Sequence, residues 1–307
     1  MKKGVFNFVW LFAIIAGGSL LFLAVYGATK IGQSGQYQKT SFDAKSISIL
    51  TNPLHAGFSD ARFGVIRLGE SARIKNICID EGFGKNRILL SERGLNDEWS
   101  EFGAGVSVKN KYIFSEKVLE GKELFVLSVP FEYPFKISDL LIVINKDYCF
   151  VDAPQEVKNR IGGLGIKMIS FKSQSSDCPE DSTTVCFSGS SSSCDIKVSC
   201  SSACDEGTVT KDGENKRFVF GLLYGAIFSD NEIYSCNVKR LFFRKKKLLE
   251  LYSSKAKDLL GISCQISRDF KSKIDSPIAF SSWLGSNEVS KSKALDKENK
   301  KLGCRLW

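Results

Sequence analysis

The chain has 307 residues, 43% of them hydrophobic and 25% charged, with 23 Phe against six Pro and a formal charge of +9. These are values of a folded chain long enough for one large or two modest domains, and they exclude a disordered stalk. With ten cysteines but a single histidine, His55, zinc sites built on two histidines are excluded, and a serine or cysteine hydrolase has one candidate base.

Residues 1–4 form a short basic tail, and Val5 to Ala28 then run without a charged side chain. Twenty-four residues at about 1.5 Å each reach roughly 36 Å, enough to cross a hydrocarbon core of about 30 Å. A transmembrane helix over 5–28 is therefore expected. Lys2, Lys3 and the amino terminus precede the run, while Lys30 and Lys39 are spread after it. The positive-inside rule then places the amino terminus in the cytoplasm and residues 29–307 outside, at the cell membrane. A cleaved secretory signal is the alternative, although the apolar run exceeds the usual core of about 7–15 residues.

Exported cysteines in even number point to an oxidising compartment and disulfides. The positive charge then indicates the bilayer, anionic lipid heads, surface glycans or acidic surface proteins as partners, and no nucleic acid.

Residues 29–45 are polar and suit a spacer. Over 46–171 the runs SISIL, RFGVIRL, ARIKNICI, NRILLS, GVSVKNKYIFS, ELFVLSV and DLLIVIN are short, alternating and broken by Asn52-Pro53, Glu81-Gly82 and Asn96-Asp97. They predict a β-rich domain, arranged as an antiparallel sandwich or open barrel. Within it, Tyr148–Val151, Gln155–Ile161 and Ile166–Phe171 read as strand, helix and strand, and the glycines at 162, 163 and 165 close a helix instead of cradling a phosphate.

Residues 172–228 form a Cys- and Ser-rich β segment ending in an expected strand pair around Arg217 to Phe228. Cys186 and Cys194 flank the tip FSGSSSS and can bridge a hairpin, and Cys200 and Cys204 can close a small loop. Zinc held by thiolates is the alternative. Cys78 and Cys149 are further disulfide candidates.

The helical segment 229–307 opens on Ser229-Asp230-Asn231-Glu232, a capping-box pattern, so a long helix is expected from Asp230 to Leu260. Tyr234, Val238, Leu241, Leu248, Tyr252, Ala256 and Leu259 would be its buried stripe; Lys239, Arg240, Arg244, Lys246 and Lys247 form a basic face and candidate contact surface. A second helix is expected from Asn287 to Leu302. Folded back antiparallel, it would bring Cys304 near Cys236, the preferred bridge; a parallel return would favour Cys264 with Cys304.

For catalysis the candidates are His55 with Ser59 or Asp60, and the carboxylate pairs Asp80-Glu81 and Glu98 with Glu101. None stands in a catalytic motif, and no cofactor or metal site is expected.

The segments KKGVFNFVWLFAIIAGG, EYPFKISDLLIVI, YCFVDAP and AIFSDNEIYSCNVKRL resemble a group of uncharacterised archaeal single-pass membrane proteins. Lys2-Lys3-Gly4 before the apolar run is similar to the leader of archaeal type IV pilin-like proteins, which implies trimming ahead of the helix. The resemblance implies an archaeal envelope protein and carries over no catalytic residue. The expected protein is thus an α+β, membrane-anchored, non-enzymatic surface protein with a structural or interaction role. An ectoenzyme acting on envelope polymers is the first alternative. The second is an accessory subunit docking through Ala13 and Gly17.

Overall fold

The computed structural model describes residues 9–28, 61–93, 98–187, 194–201, 203–260, 266–275 and 287–307. Helix α1, Val9–Ala28, is apolar along its length, none of it is buried, and its 20 residues can cross a membrane.

The first sheet rolls into a barrel. Its order is β3-β2-β1-β5-β6-β4, with β1 Arg62–Ile79, β2 Lys85–Glu92, β3 Val106–Lys109, β4 Tyr112–Phe114, β5 Val118–Glu132 and β6 Lys136–Ile144. The runs RFGVIRL and ARIKNICI fuse into β1, whose register against β5 shifts between Arg67 and Ala72; this irregularity bends the strand. Strands β3 and β4 lie on opposite edges of the sheet, yet only Asn110 and Lys111 separate them in the chain. One nearly continuous strand therefore pairs first with β2 and then, in parallel, with β6, and this switch closes the ring. Period 2 does the rest: Ile66, Ile74, Ile88, Leu90, Val108, Ile113, Leu124, Val126, Leu141 and Val143 point inward and fill the barrel.

The second sheet has the order β12-β11-β10-β9-β7-β8, from β7 Tyr148–Val151, β8 Ile169–Lys172, β9 Thr183–Cys186, β10 Ile196–Cys200, β11 Glu206–Lys211 and β12 Glu214–Val219. Strands β7 and β8 run parallel around helix α2, Gln155–Ile161. They belong with the Cys-rich strands, so the first sheet ends at Ile144 and the second begins at Tyr148. The antiparallel sandwich gives way to two mixed sheets, because β4 pairs parallel to β6, and β9 pairs parallel to both β7 and β10. The coarser α+β class stands.

Between the sheets lies α3, Leu222–Phe228, every residue of which is buried. Its apolar side chains meet Leu127, Val129, Leu140 and Ile142 on the outside of the barrel, and Tyr148, Phe150, Val209 and Phe218 on the second sheet. A segment covered on all sides shows no helical periodicity, which is why it reads as a strand in the sequence.

Helix α4, Asn231–Leu259, follows at once. The capping box does not form: Asp230 is the cap residue, Ser229 donates to the carbonyl of Gly225 at the end of α3, and the Asp230 carboxylate accepts the Lys117 amide at 2.6 Å. Both residues are claimed by the tight α3–α4 junction. Helices α5, Arg268–Asp275, and α6, Glu288–Lys301, pack on the far half of α4.

Four disulfides join described cysteines: Cys78–Cys236, Cys149–Cys178, Cys186–Cys194 and Cys200–Cys204. The last two are the local bridges expected from sequence, with Cys200 and Cys204 bonded to each other and not to zinc. Tyr148 and Phe150 face the core while Cys149 and Val151 face away, so two disulfides lie over the outer face of the second sheet.

The preferred Cys236–Cys304 bridge is corrected. Glu288, at the start of α6, acts electrostatically on Lys245, whereas Trp307 meets the Tyr252 ring edge-on at 5.4 Å and Leu306 clusters with Ala256. Helix α6 thus runs in the same sense as α4 and carries Cys304 away from Cys236, which the start of α4 places against Cys78 at the end of β1. Cys304 is disulfide-bonded as well; Cys264, its alternative partner, lies outside the described residues.

Non-reducing peptide mapping should return Cys78–Cys236 and no Cys236–Cys304 peptide. Because that bridge spans 158 residues, replacing both cysteines by Ser should lower the unfolding free energy by about 5 kcal/mol in the chain-entropy treatment, read from urea denaturation.

Candidate functional site

Most of the basic face expected on α4 is turned to internal use. Arg240 is fully buried at the barrel mouth. Its Nε donates to the carbonyl of Phe83 at 3.1 Å, Nη1 to the amide oxygens of Asn86 at 2.5 Å and Asn237 at 2.7 Å, and Nη2 to the carbonyl of Lys111 at 2.9 Å. The guanidinium also sits 4.7 Å from the Tyr112 ring. Gly84 lets Arg240 in: its φ is +60-like at +57°, and a Cβ there would lie 2.7 Å from Arg240 Nε. Burial lowers the Arg240 pKa to about 10, opposed by Tyr112 and Asp80, so the group stays charged at neutral pH.

Around it, Asn76 and Asn86 donate to the carbonyl of Ile113, Asn237 does so at 2.8 Å, and Asn86 accepts the Ile113 amide. These side chains replace the backbone ladder where the chain leaves β2 to join β6. Of the other expected contact residues, Lys239 pairs with Asp80 at 3.1 Å, Arg244 donates to the carbonyl of Ile137 at 2.7 Å, and Lys247 pairs with Glu250 at 2.8 Å. Lys246 alone of the five has no such contact among the described residues. The half of α4 that opens the helix crosses the barrel mouth and leaves only the stripe Glu232, Ser235, Lys239 and Lys246 exposed, so Arg240 and Lys245 fall on the covered side.

A groove of about 730 Å³ opens beside the β5–β6 hairpin, between α2 and α6. Glu132 of the hairpin, Glu156 and Arg160 of α2, Phe220, and Lys293 and Asp296 of α6 reach it. Lys293 is tied to Asp205, and Asp296 to Lys300 at 2.6 Å, which leaves Glu132, Glu156 and Arg160 without an ion pair among the described residues. Such a groove can hold a ligand carrying both charges. Among the described residues its lining contains no cysteine or histidine.

Beneath it lies Lys245, with its Nζ 3.3 Å from the centroid of the Tyr133 ring. Burial drives the Lys245 pKa down to about 7, opposed by Glu288. At the α3 terminus Lys216 donates to the carbonyl of Ser229 at 3.0 Å, where a cation complements the helix end, and burial lowers it to about 8.

The other sequence candidates do not converge. Asp80 and Glu81 sit at the β1–β2 turn, whereas Glu98 and Glu101 follow the opposite end of β2, roughly 27 Å away at 3.4 Å per residue. His55, Ser59 and Asp60 lie outside the described residues. Nothing in the sequence singled out the groove, whose lining comes from positions as far apart as Glu132 and Asp296. Comparison with protein-family models, curated proteins and solved structures returns no match to this chain.

Removing the guanidinium strands several buried acceptors, so Arg240→Met should cost about 4 kcal/mol. Arg240→Lys should recover only part of this, since one ammonium cannot span all four acceptors. Lys246→Ala, on the exposed side, should stay within about 0.5 kcal/mol of wild type. Urea unfolding of the three variants decides it; equal losses would show that the barrel mouth does not depend on Arg240.

The buried lysines also set a pH dependence. Folded Lys245 binds its proton only below about pH 7, and folded Lys216 below about 8, whereas the unfolded side chains hold theirs to about 10.4. The unfolded state therefore binds more protons between these limits, and stability should rise as pH increases from 7 towards 10. The urea midpoint at pH 9.5 should exceed that at pH 7, and Lys245→Met should flatten the rise.

Proposed function

We propose that this is a single-pass membrane protein that displays a non-catalytic interaction domain on the outer side of the cell membrane, with its amino terminus in the cytoplasm. One observation carries the reading: an apolar helix long enough to span a bilayer, unburied by the protein itself, precedes a domain in which no described cysteine is free. An unburied helix of this composition needs lipid or another protein around it, and four paired disulfides belong in an oxidising compartment. Lys2 and Lys3 on the amino-terminal flank favour the stated orientation. The resemblance of the anchor to pilin-like leaders fits an archaeal surface role, and the groove supplies a place for a partner to engage without chemistry on it.

Protease treatment of intact cells should remove the large domain and leave the membrane-embedded segment, which should resist carbonate extraction. A domain protected in intact cells but digested after lysis would overturn the reading, with cleavage of the purified protein as the control that the folded domain is susceptible.

A further inference from the structure

The outer face of strands β1, β2 and β3 carries a second set of cations that, unlike those of α4, are not used up by the fold. Because Asn86, Ile88 and Leu90 point into the barrel, Lys85, Arg87 and Leu89 point out; likewise Val108 is inward, and Ser107 and Lys109 are outward. The register sets Lys85 directly opposite Lys109, Arg87 opposite Ser107 and Ile77, and Lys75 opposite Leu89. Lys75, Lys85, Arg87 and Lys109 make no ion pair with a carboxylate among the described residues. Two lysines facing each other across an antiparallel pair, with an arginine one pleat away, repel and cost stability unless an anion lies over them.

Two features hold this face in place. Gly105 leaves room for the Arg87 side chain, since a Cβ there would lie 2.6 Å from Arg87 Nε and 2.8 Å from its Cγ. At the other end of β2, Trp99 receives Arg73 at 4.5 Å and Arg93 at 5.2 Å, and Phe102 receives Lys75 at 5.5 Å. Arg73 is spent on Glu120 at 2.8 Å, so the unpaired cations form a stripe from Lys109 and Lys85 through Arg87 to Lys75, which lies opposite Leu89, roughly 14 Å long at 3.4 Å per residue. A stripe of that length fits a linear polyanion better than a single small anion. The contacts to Trp99 put guanidinium groups against its ring, where a stacking base would have to lie.

We infer that the outer face of β1–β2–β3 is a docking surface for an acidic polysaccharide, a chain of regularly spaced carboxylate or sulfate groups. The choice of a surface polysaccharide rests on the extracytoplasmic placement proposed above. The full-length protein in neutral detergent should bind polygalacturonate, measured by biolayer interferometry, with an affinity that falls as salt is raised, and should not bind uncharged dextran. Lys85→Gln/Arg87→Gln/Lys109→Gln should weaken binding by about tenfold or more, whereas Lys246→Gln/Lys247→Gln on α4 should leave it within about twofold. The single variant Lys109→Gln should weaken binding by a smaller step, which gives the same reading if the triple variant fails to fold. Equal binding by wild type and folded triple variant would overturn the inference. So would tighter binding to single-stranded DNA, or to phosphatidylglycerol vesicles, through the same residues. Binding of purified protein does not depend on its orientation in the cell, so failure here and failure of the protease experiment are separate results.

Discussion

The structure turns on one buried guanidinium. Arg240 reaches from α4 into the barrel mouth and is held by oxygens from the β1–β2 turn, from β2, from the β3–β4 corner and from its own helix. A cation in that position needs several acceptors at once, so it fixes the relative placement of every element that supplies one. The Cys78–Cys236 bridge, one turn earlier on α4, fastens the same junction covalently. The contact thus joins the barrel mouth to α4.

The cost of such an arrangement explains where the positive charge goes. Of the basic residues on the first half of α4, Arg240 and Lys245 are buried and Arg244 caps the carbonyl of Ile137, so this helix contributes less free charge than its sequence implies. The barrel's outer face shows the reverse. Lys85, Arg87 and Lys109 lie on short strands whose inward neighbours already fill the core, and no carboxylate is folded against them among the described residues. Two stretches of similar composition thus have opposite fates, one structural and one available to a partner.

The two mixed sheets share a core through α3, which is apolar on every side because it has a sheet on each. The second sheet has its own solution on its far face, where disulfides from Cys149 and Cys186 take the place of a covering layer. The groove lies where the two halves meet, between the β5–β6 hairpin, α2 and α6.

The sequence by itself determined what local pattern can encode. The membrane-length apolar run, most barrel strands, the β7–α2–β8 unit, the long helix and the two short-range disulfides are written in runs of neighbours, where periodicity and loop length act directly. What only the tertiary structure decided depends on covering layers and long separations. Leu222–Phe228 reads as a strand because burial on all sides erases the helical period, and Ser229 reads as a helix cap until the preceding helix claims its hydroxyl. The partner of Cys236 was set by α4 crossing the barrel mouth, and the sense of α6 took Cys304 elsewhere. Neither the groove nor the buried role of Arg240 was legible, because a lysine- and arginine-rich helix looks the same in sequence whether its far side meets water or the mouth of a barrel; only the packing says which charges are surrounded by acceptors and which are left to the solvent.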